Sequence, residues 1–134
     1  MSNIKKYIVI HYSDSDTGNA KSFEKYHKEV RGWPSLGYNY VIPRDGSIEN
    51  LIGEQSKGSH APNYNTNGVG ICVVCTKDKK PNEDQLKTLT MLTCNIAERL
   101  NIPIGNIIGH KDTGANTDCP GPIDIDMFKQ FFKP

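Results

Sequence analysis

Several features typical of membrane and nucleic-acid-binding proteins are missing from this 134-residue sequence. It has no apolar run of about 18 residues, which a transmembrane helix needs. Its 16 Lys and Arg are balanced by 15 Asp and Glu, so the net charge is only +1 and no broad basic surface is implied. We therefore expect neither insertion into a membrane nor binding to nucleic acid.

The sequence also lacks a recognisable secretory signal. The apolar run YIVI at 7–10 is too short for the core of a signal peptide, and no small-residue cleavage site follows it. We expect synthesis in the cytoplasm. Because thiols stay reduced there, the four cysteines are not expected to form a disulfide framework.

No internal repeat or linker divides the chain, and its length suits one domain over 1–134. Apolar runs and turn signals predict strands that alternate with amphipathic helices. The fold class is therefore α/β, with a central mixed β-sheet flanked by helices. The predicted strands are at 5–13, in a 37–52 hairpin around Asp45-Gly46, at 69–76 and at 106–110; the predicted helices are at 20–31, after an Asn82 cap and at 124–132. Gln85 completes a predicted capping box with Asn82, and an apolar stripe that includes Leu89 and Ile96 follows it. The closing helix is expected to pack Phe128 into the core.

Two histidines and a cysteine stand out as candidate metal ligands. His11 and His110 each lie at the end of an apolar strand, and Cys119 follows in the polar loop GHKDTGANTDCPG. Free cysteine is usually buried, so a polar loop is an unusual place for one. Two imidazoles and a thiolate would suit Zn²⁺ and leave a fourth position for water. Spacing alone leaves a second interpretation open, in which His11 is a hydrogen-bonded strand-end histidine and Cys119 an inert thiol.

The CVVC motif at 72–75 suggests a thiol-redox protein, but its context disfavours that interpretation. Residues three apart on a strand face opposite sides, so the two thiols are not placed to pair. Cys72 is expected in the core, Cys75 at the more exposed strand end, and Cys94 in helix packing.

Four segments carry specific motifs in order along the chain: IVIHYSDSD (8–16), WPSLGYNYVIPRDGSIE (33–49), GSHAPNYNTNGVGICVV (58–74) and IIGHKDTGANTDCPG (107–121). The motifs are a strand-end His, Gly-Tyr-x-Tyr with Arg-Asp-Gly, Gly-Ser-His-Ala, and a His…Cys-Pro pair. In this combination the sequence resembles the zinc-dependent N-acetylmuramoyl-L-alanine amidases, the group that includes phage lysozyme-type amidases and animal peptidoglycan recognition proteins.

The resemblance implies roles for individual residues. His11, His110 and Cys119 would bind one zinc ion, and Tyr38 would assist catalysis beside it. Thr117 occupies a position that carries a catalytic Lys in some phage members. It would act in catalysis by donating a hydrogen bond to the oxyanion in place of that fixed positive charge. The substrate groove would be lined by His60. Two aromatic residues, Trp33 and Tyr64, are candidate groove walls or loop anchors.

The implied reaction is hydrolysis of the amide between N-acetylmuramic acid and L-alanine in peptidoglycan. We expect a monomer that consists of the catalytic domain without a separate cell-wall-binding domain. It would act on the wall after release, as an endolysin does. The alternative is a recognition module that binds muropeptide without cleaving it, although such relatives typically replace the zinc cysteine.

Overall fold

A five-stranded sheet lies at the centre of the residues described by the computed structural model, which are 5–15, 37–56, 58, 60–61 and 63–131. The strand order is β3-β2-β4-β1-β5, with β3 antiparallel to β2 and the other neighbours parallel. The mixed sheet is therefore confirmed, whereas the predicted helix over 20–31 and Trp33 lie outside the described residues. The strands are β1 (Tyr7–Tyr12), β2 (Tyr40–Ile42), β3 (Glu49–Asn50), β4 (Gly68–Val73) and β5 (Ile107–Gly109).

The predicted hairpin is present, with strands of three and two residues. Its turn places Gly46 at a φ of +80°, a conformation that glycine adopts without steric cost. The Asp45 carboxylate accepts hydrogen bonds from the backbone N–H and the hydroxyl of Ser47. Pro43 follows β2 directly and has no backbone N–H, which helps to keep that strand short.

One long helix, α1 (Glu83–Leu100), covers one face of the sheet. Its N-terminus has the predicted capping box, because Asn82 and Gln85 exchange side-chain to backbone hydrogen bonds. The predicted apolar stripe contains Leu89 and Ile96, which are fully buried. Gln85 is also buried. Its side-chain amide donates to the carbonyl of Val74, just beyond β4, and to that of Ile42, at the end of β2.

The two faces of the sheet have different contents. Strand alternation directs Ile8, Ile10 and Tyr12 toward the apolar core that includes α1. The opposite face carries Val9 and His11 on β1, and His11 pairs in register with Cys72 of β4. The candidate chemistry therefore lies on the face that α1 does not cover.

The described residues after α1 form three 3₁₀ helices, at Ile104–Asn106, His110–Thr113 and Ile125–Phe131. Strand β5 ends at Gly109, one residue earlier than predicted, so that His110 begins a 3₁₀ helix. The predicted closing helix is 3₁₀, and its Phe128 is buried in the core as expected.

The cysteines correct one expectation. Cys75 is fully buried, not exposed, because the chain beyond β4 still directs it into the core cluster. All four cysteines are free thiols, and Cys72 is buried on the opposite face from Cys75. Within the described ranges, no helix combines the length and the apolarity that a membrane span requires.

Candidate metal centre

His11, His110 and Cys119 converge at the carboxyl ends of β1 and β5. One ring nitrogen of each histidine and the Cys119 sulfur all lie within 4.8 Å of one another. The His11 Nδ1 to Cys119 Sγ distance is 3.9 Å. Parallel strands bring their carboxyl ends to one sheet edge, which is why residues about 100 positions apart meet there. The predicted ligand trio is thus a spatial cluster.

The loop that carries Cys119 is held in place by its own backbone. The Cys119 carbonyl accepts a hydrogen bond from the Lys111 N–H at 2.7 Å, and the Cys119 sulfur accepts one from the Tyr12 N–H at 3.3 Å. Pro120 packs against the end of β5, where a Cβ on Gly109 would lie 2.6 Å from the proline ring. These contacts explain how a cysteine in a polar segment becomes buried, with 7% of its surface exposed.

Burial determines the protonation of the cluster. It lowers the pKa of His11 well below its usual value, with His60 and His110 as further causes, and it also lowers the pKa of His110. Both imidazoles are therefore neutral near pH 7, as metal ligands must be. Burial raises the pKa of the Cys119 thiol to about 12, although the Tyr12 N–H opposes this. A bound cation would have to displace that proton.

The chemistry of this donor set fits zinc. Two imidazoles and one thiol combine nitrogen and sulfur donors, whereas Ca²⁺ and Mg²⁺ prefer oxygen. In a tetrahedral zinc site, ligand atoms at ordinary bond lengths lie roughly 3.4–3.6 Å apart. The 3.9 Å separation between His11 and Cys119 needs only a small contraction to reach that range.

His60 contacts the cluster through His11. The Nδ1 of His60 lies 3.0 Å from the Nε2 of His11, and its own Nε2 lies 3.2 Å from the carbonyl oxygen of Gly68. Only 5% of His60 is exposed. Burial lowers the pKa of His60 to about 4, so this ring is neutral as well.

Tyr38 is placed beside the cluster by the segment that leads into β2. Its ring centroid lies 5.1 Å from that of His11, and the residue is half-buried. Its hydroxyl hydrogen-bonds to the Cys72 thiol. Burial raises the pKa of Cys72 well above its usual value, and the hydrogen bond from Tyr38 offsets only part of that rise. The proximity suits the predicted catalytic role, which stays a prediction.

Thr117 lies in the loop two residues before the cysteine ligand. Its hydroxyl oxygen accepts a hydrogen bond from the Cys119 N–H at 3.1 Å. A hydroxyl has one proton and two lone pairs, so this bond leaves the proton available for donation. Of the two neighbouring acids, Asp112 accepts from the Gly109 N–H, and Asp118 pairs with Lys77.

The remaining sequence candidates lie farther away or outside the described residues. Tyr64 packs edge-on against Tyr7 at the start of β1, with ring centroids 5.0 Å apart. Four residues of strand separate Tyr7 from His11, which is about 13 Å. The substrate-binding roles of Tyr64, His60 and Trp33 stay predictions.

Sequence reasoning missed two contacts behind the cluster, His60 with His11 and Cys72 with Tyr38. The first had a signal in Gly70, a glycine inside a strand, because such glycines often mark a close approach by another group. A Cβ at Gly70 would lie 2.7 Å from the His60 ring.

Residues 2–122 match the protein family described as N-acetylmuramoyl-L-alanine amidase. This chain belongs to that family. Among its relatives, the human N-acetylmuramoyl-L-alanine amidase is 30% identical over 114 residues, covering 83% of this chain and 20% of the human protein. The endolysin of Enterobacteria phage T3 is 38% identical over 122 residues, covering 84% of this chain and 78% of the endolysin. This chain thus spans about a fifth of the human relative but most of the phage one.

Solved structures agree with the fold of this amidase-family chain. The N-acetylmuramoyl-L-alanine amidase LysC from Clostridium intestinale superposes with a TM-score of 0.86 at 28% identity, covering 97% of this chain and 85% of LysC. A tyrosine-to-phenylalanine mutant of Drosophila PGRP-LB, solved in complex with tracheal cytotoxin, gives a TM-score of 0.80 at 25% identity, with coverage of 95% and 81%. Solved structures with this fold thus include an amidase and a complex with tracheal cytotoxin.

Proposed function

We propose that this chain is a zinc-dependent N-acetylmuramoyl-L-alanine amidase that hydrolyses the amide between N-acetylmuramic acid and L-alanine of peptidoglycan. The observation that carries the proposal is the clustering of two neutral imidazoles and a thiol within 4.8 Å, in a member of the amidase family. A binding module would not require such a donor set.

His11, His110 and Cys119 would hold the ion. When bound, zinc supplies Lewis acidity: it polarises the scissile carbonyl and makes hydroxide available near neutral pH. With one thiolate and two neutral imidazoles, the site keeps a formal charge of +1. The three protein ligands leave a fourth tetrahedral position, as in catalytic zinc sites.

We propose that two side chains of this chain, Tyr38 and Thr117, stabilise the transition state. The Tyr38 hydroxyl can turn from the Cys72 thiol and donate to the substrate oxygen that becomes negatively charged. The Thr117 hydroxyl can donate its remaining proton to the same oxygen while it keeps the bond from the Cys119 N–H. A neutral donor stabilises an oxyanion less than the lysine of some phage members would. The departing amine also needs a proton, for which Tyr38 is the candidate source.

The substrate would approach the sheet face that α1 leaves uncovered, where His11 lies. Muropeptide binding is supported by the tracheal cytotoxin complex of the PGRP-LB mutant, which shares this fold. The endolysin relatives support a lytic role, in which the enzyme reaches the wall after release from the cytoplasm. We further propose that the protein acts as a monomer.

A second candidate is a recognition module that binds muropeptide without cleaving it, favoured by the likeness to PGRP-LB in complex. The two candidates differ in what happens to the bound peptidoglycan. A recognition module would be retained on it and release no peptide, whether or not metal is present.

The test is to incubate the purified protein with peptidoglycan in the zinc-loaded state, after chelation, and after zinc is returned. We expect new L-alanine amino termini in the first and third samples and none in the second. Retention on peptidoglycan without any new amino termini would support the recognition module. New reducing sugar ends would indicate a glycosidase and contradict the proposal.

A further inference from the structure

We propose that His60 is a positioning residue for the metal ligand His11, and that it fixes the tautomer and the ring orientation that present His11 Nδ1 to the metal. The inference rests on the proposed zinc site. It assigns His60 to the support of the metal site, in addition to or in place of contact with substrate.

The direction of each hydrogen bond follows from chemistry. The Gly68 carbonyl oxygen can only accept, so His60 Nε2, at 3.2 Å, carries the proton and donates it. A neutral imidazole has one protonated nitrogen, so His60 Nδ1 is an acceptor. His11 Nε2, 3.0 Å away, must then be the donor. This leaves a lone pair on His11 Nδ1, the atom 3.9 Å from the Cys119 sulfur.

The protein provides a fitted space for the His60 ring. A Cβ on Gly70 would lie 2.7 to 2.9 Å from three ring atoms, and one on Gly58 would lie 2.9 Å from the ring carbon Cδ2. Two glycines on separate segments are therefore needed for the ring to fit. The Asn65 side chain accepts from the backbone N–H groups of His60 and Ala61, both at 2.8 Å, and fixes the turn that carries the ring.

A buried lysine holds the end of this hydrogen-bond chain. The Lys5 ammonium, with 1% of the residue exposed, donates to the Gly68 carbonyl at 3.0 Å and to the Ser56 carbonyl at 2.9 Å. The Gly68 carbonyl, which accepts the hydrogen bond from His60, is thus linked through the Lys5 ammonium to the segment just before His60. Hydrogen bonds of this kind behind a metal-ligating histidine set its tautomer and raise its basicity.

Matched substitutions can separate this role from general packing. His60→Asn places an amide oxygen near the former Nδ1, so it can still accept from His11. His60→Gln reaches the former Nε2 and the Gly68 carbonyl but offers His11 no acceptor. Zinc dissociation constants would be measured by competition with a chelator, and Michaelis constants on a soluble muropeptide.

We expect His60→Gln to weaken zinc binding by about 10- to 100-fold, the usual loss when the partner of a metal-ligating histidine is removed. We expect His60→Asn to bind zinc nearly as tightly as the parent protein. Equal zinc affinity in all three proteins, or equal loss in both variants, would overturn the proposal. A change in the Michaelis constant with no change in zinc affinity would also overturn it, because His60 would then act only through contact with substrate.

The parent protein gives a second, independent readout. Long-range ¹H–¹⁵N correlation spectra of the zinc-loaded protein report which nitrogen of each imidazole carries its proton. We expect the proton of His60 on Nε2 and that of His11 on Nε2. A proton on His60 Nδ1 would overturn the proposal even if neither variant folds. If the parent protein binds no zinc at all, the proposed function fails, which is a different result from unchanged affinity in the variants.

Discussion

Cys119 is the residue on which the chemistry depends most. In the sequence it is a thiol in a polar loop; in the structure it is buried, accepts a hydrogen bond from the Tyr12 N–H, and lies beside two neutral imidazoles. We propose that a cysteine with these neighbours is a metal ligand, although it also packs at the edge of the core cluster. The interpretation of Cys119 as an inert thiol offers no reason for the convergence with His11 and His110.

Replacement of this cysteine should abolish both zinc binding and hydrolysis. In Cys119→Ser the hydroxyl is a far weaker zinc ligand than a thiolate, so we expect the bound zinc, measured by elemental analysis after dialysis, to fall to a small fraction. The matched control is Cys94→Ser, a partly exposed thiol on α1, which should keep its zinc and its activity. Full activity in Cys119→Ser would refute its role as a ligand.

Thr117 should affect the reaction rate beyond any effect on zinc binding through its hydrogen bond from the Cys119 N–H. Thr117→Val keeps the shape but removes the hydroxyl, so we expect kcat to fall by about 10- to 100-fold, while Thr117→Ser stays close to the parent. Both rates would be measured on a soluble muropeptide at full zinc occupancy. An unchanged kcat in Thr117→Val would show that the hydroxyl has no part in the transition state.

Zinc affinity should depend on pH through the cysteine. Burial raises the pKa of the Cys119 thiol to about 12 in the absence of metal, so binding must release its proton. The imidazoles release none, because burial lowers the pKa of His11 and His110. Between about pH 7 and 8 the affinity should rise about tenfold per pH unit, because one proton is released. An affinity that stays flat with pH, measured by chelator competition, would contradict this protonation scheme.

At the scale of elements, strand ends and loops position the site, and β4 has a glycine where the His60 ring needs room. Gly70 lies inside β4, where a side chain would occupy the volume of the His60 ring. We expect Gly70→Ala to displace His60 and weaken zinc binding. Gly105→Ala is the control, because no atom lies within 4 Å of a Cβ there. Equal zinc affinity in both variants would show that His60 does not need this space.

The regular elements could be predicted from local patterns. β1, β4 and α1 follow from apolar runs, helical spacing and the Asn82 capping box, all of which are properties of neighbouring residues. The end of β5 was misplaced by one residue because nothing in its local sequence marks His110 as the start of a 3₁₀ helix. Cys75 was expected to be more exposed because its burial depends on packing beyond the strand.

The candidate site was predictable in its donors but not in their support. His11, His110 and Cys119 could be selected because their chemistry and the family resemblance agree. The contact between His60 and His11 depends on how a loop folds over β4, which no local pattern reveals. The burial of Gln85 was likewise missed, because the carbonyls that its side-chain amide bonds lie at the ends of two strands that are distant in sequence.

At the scale of the whole molecule, the sheet has the apolar core on one face and the candidate metal site on the other. One face carries the apolar core with α1, and the other carries His11, Cys72 and the nearby histidines. A change at the site can therefore alter metal binding while the core stays packed. This division makes the variants above interpretable, since the zinc content and the free energy of unfolding can be measured independently.

The most direct test of the central claim is mass spectrometry of one defined muropeptide, N-acetylmuramic acid linked through its lactyl group to an L-alanine-initiated peptide. With the zinc-loaded protein, the account predicts two products, the free sugar acid and the intact peptide with an L-alanine amino terminus. Neither product should form with protein whose zinc has been removed by a chelator, or with the Cys119→Ser variant. An uncleaved muropeptide with the zinc-loaded protein, or cleavage at any other bond, would contradict the account.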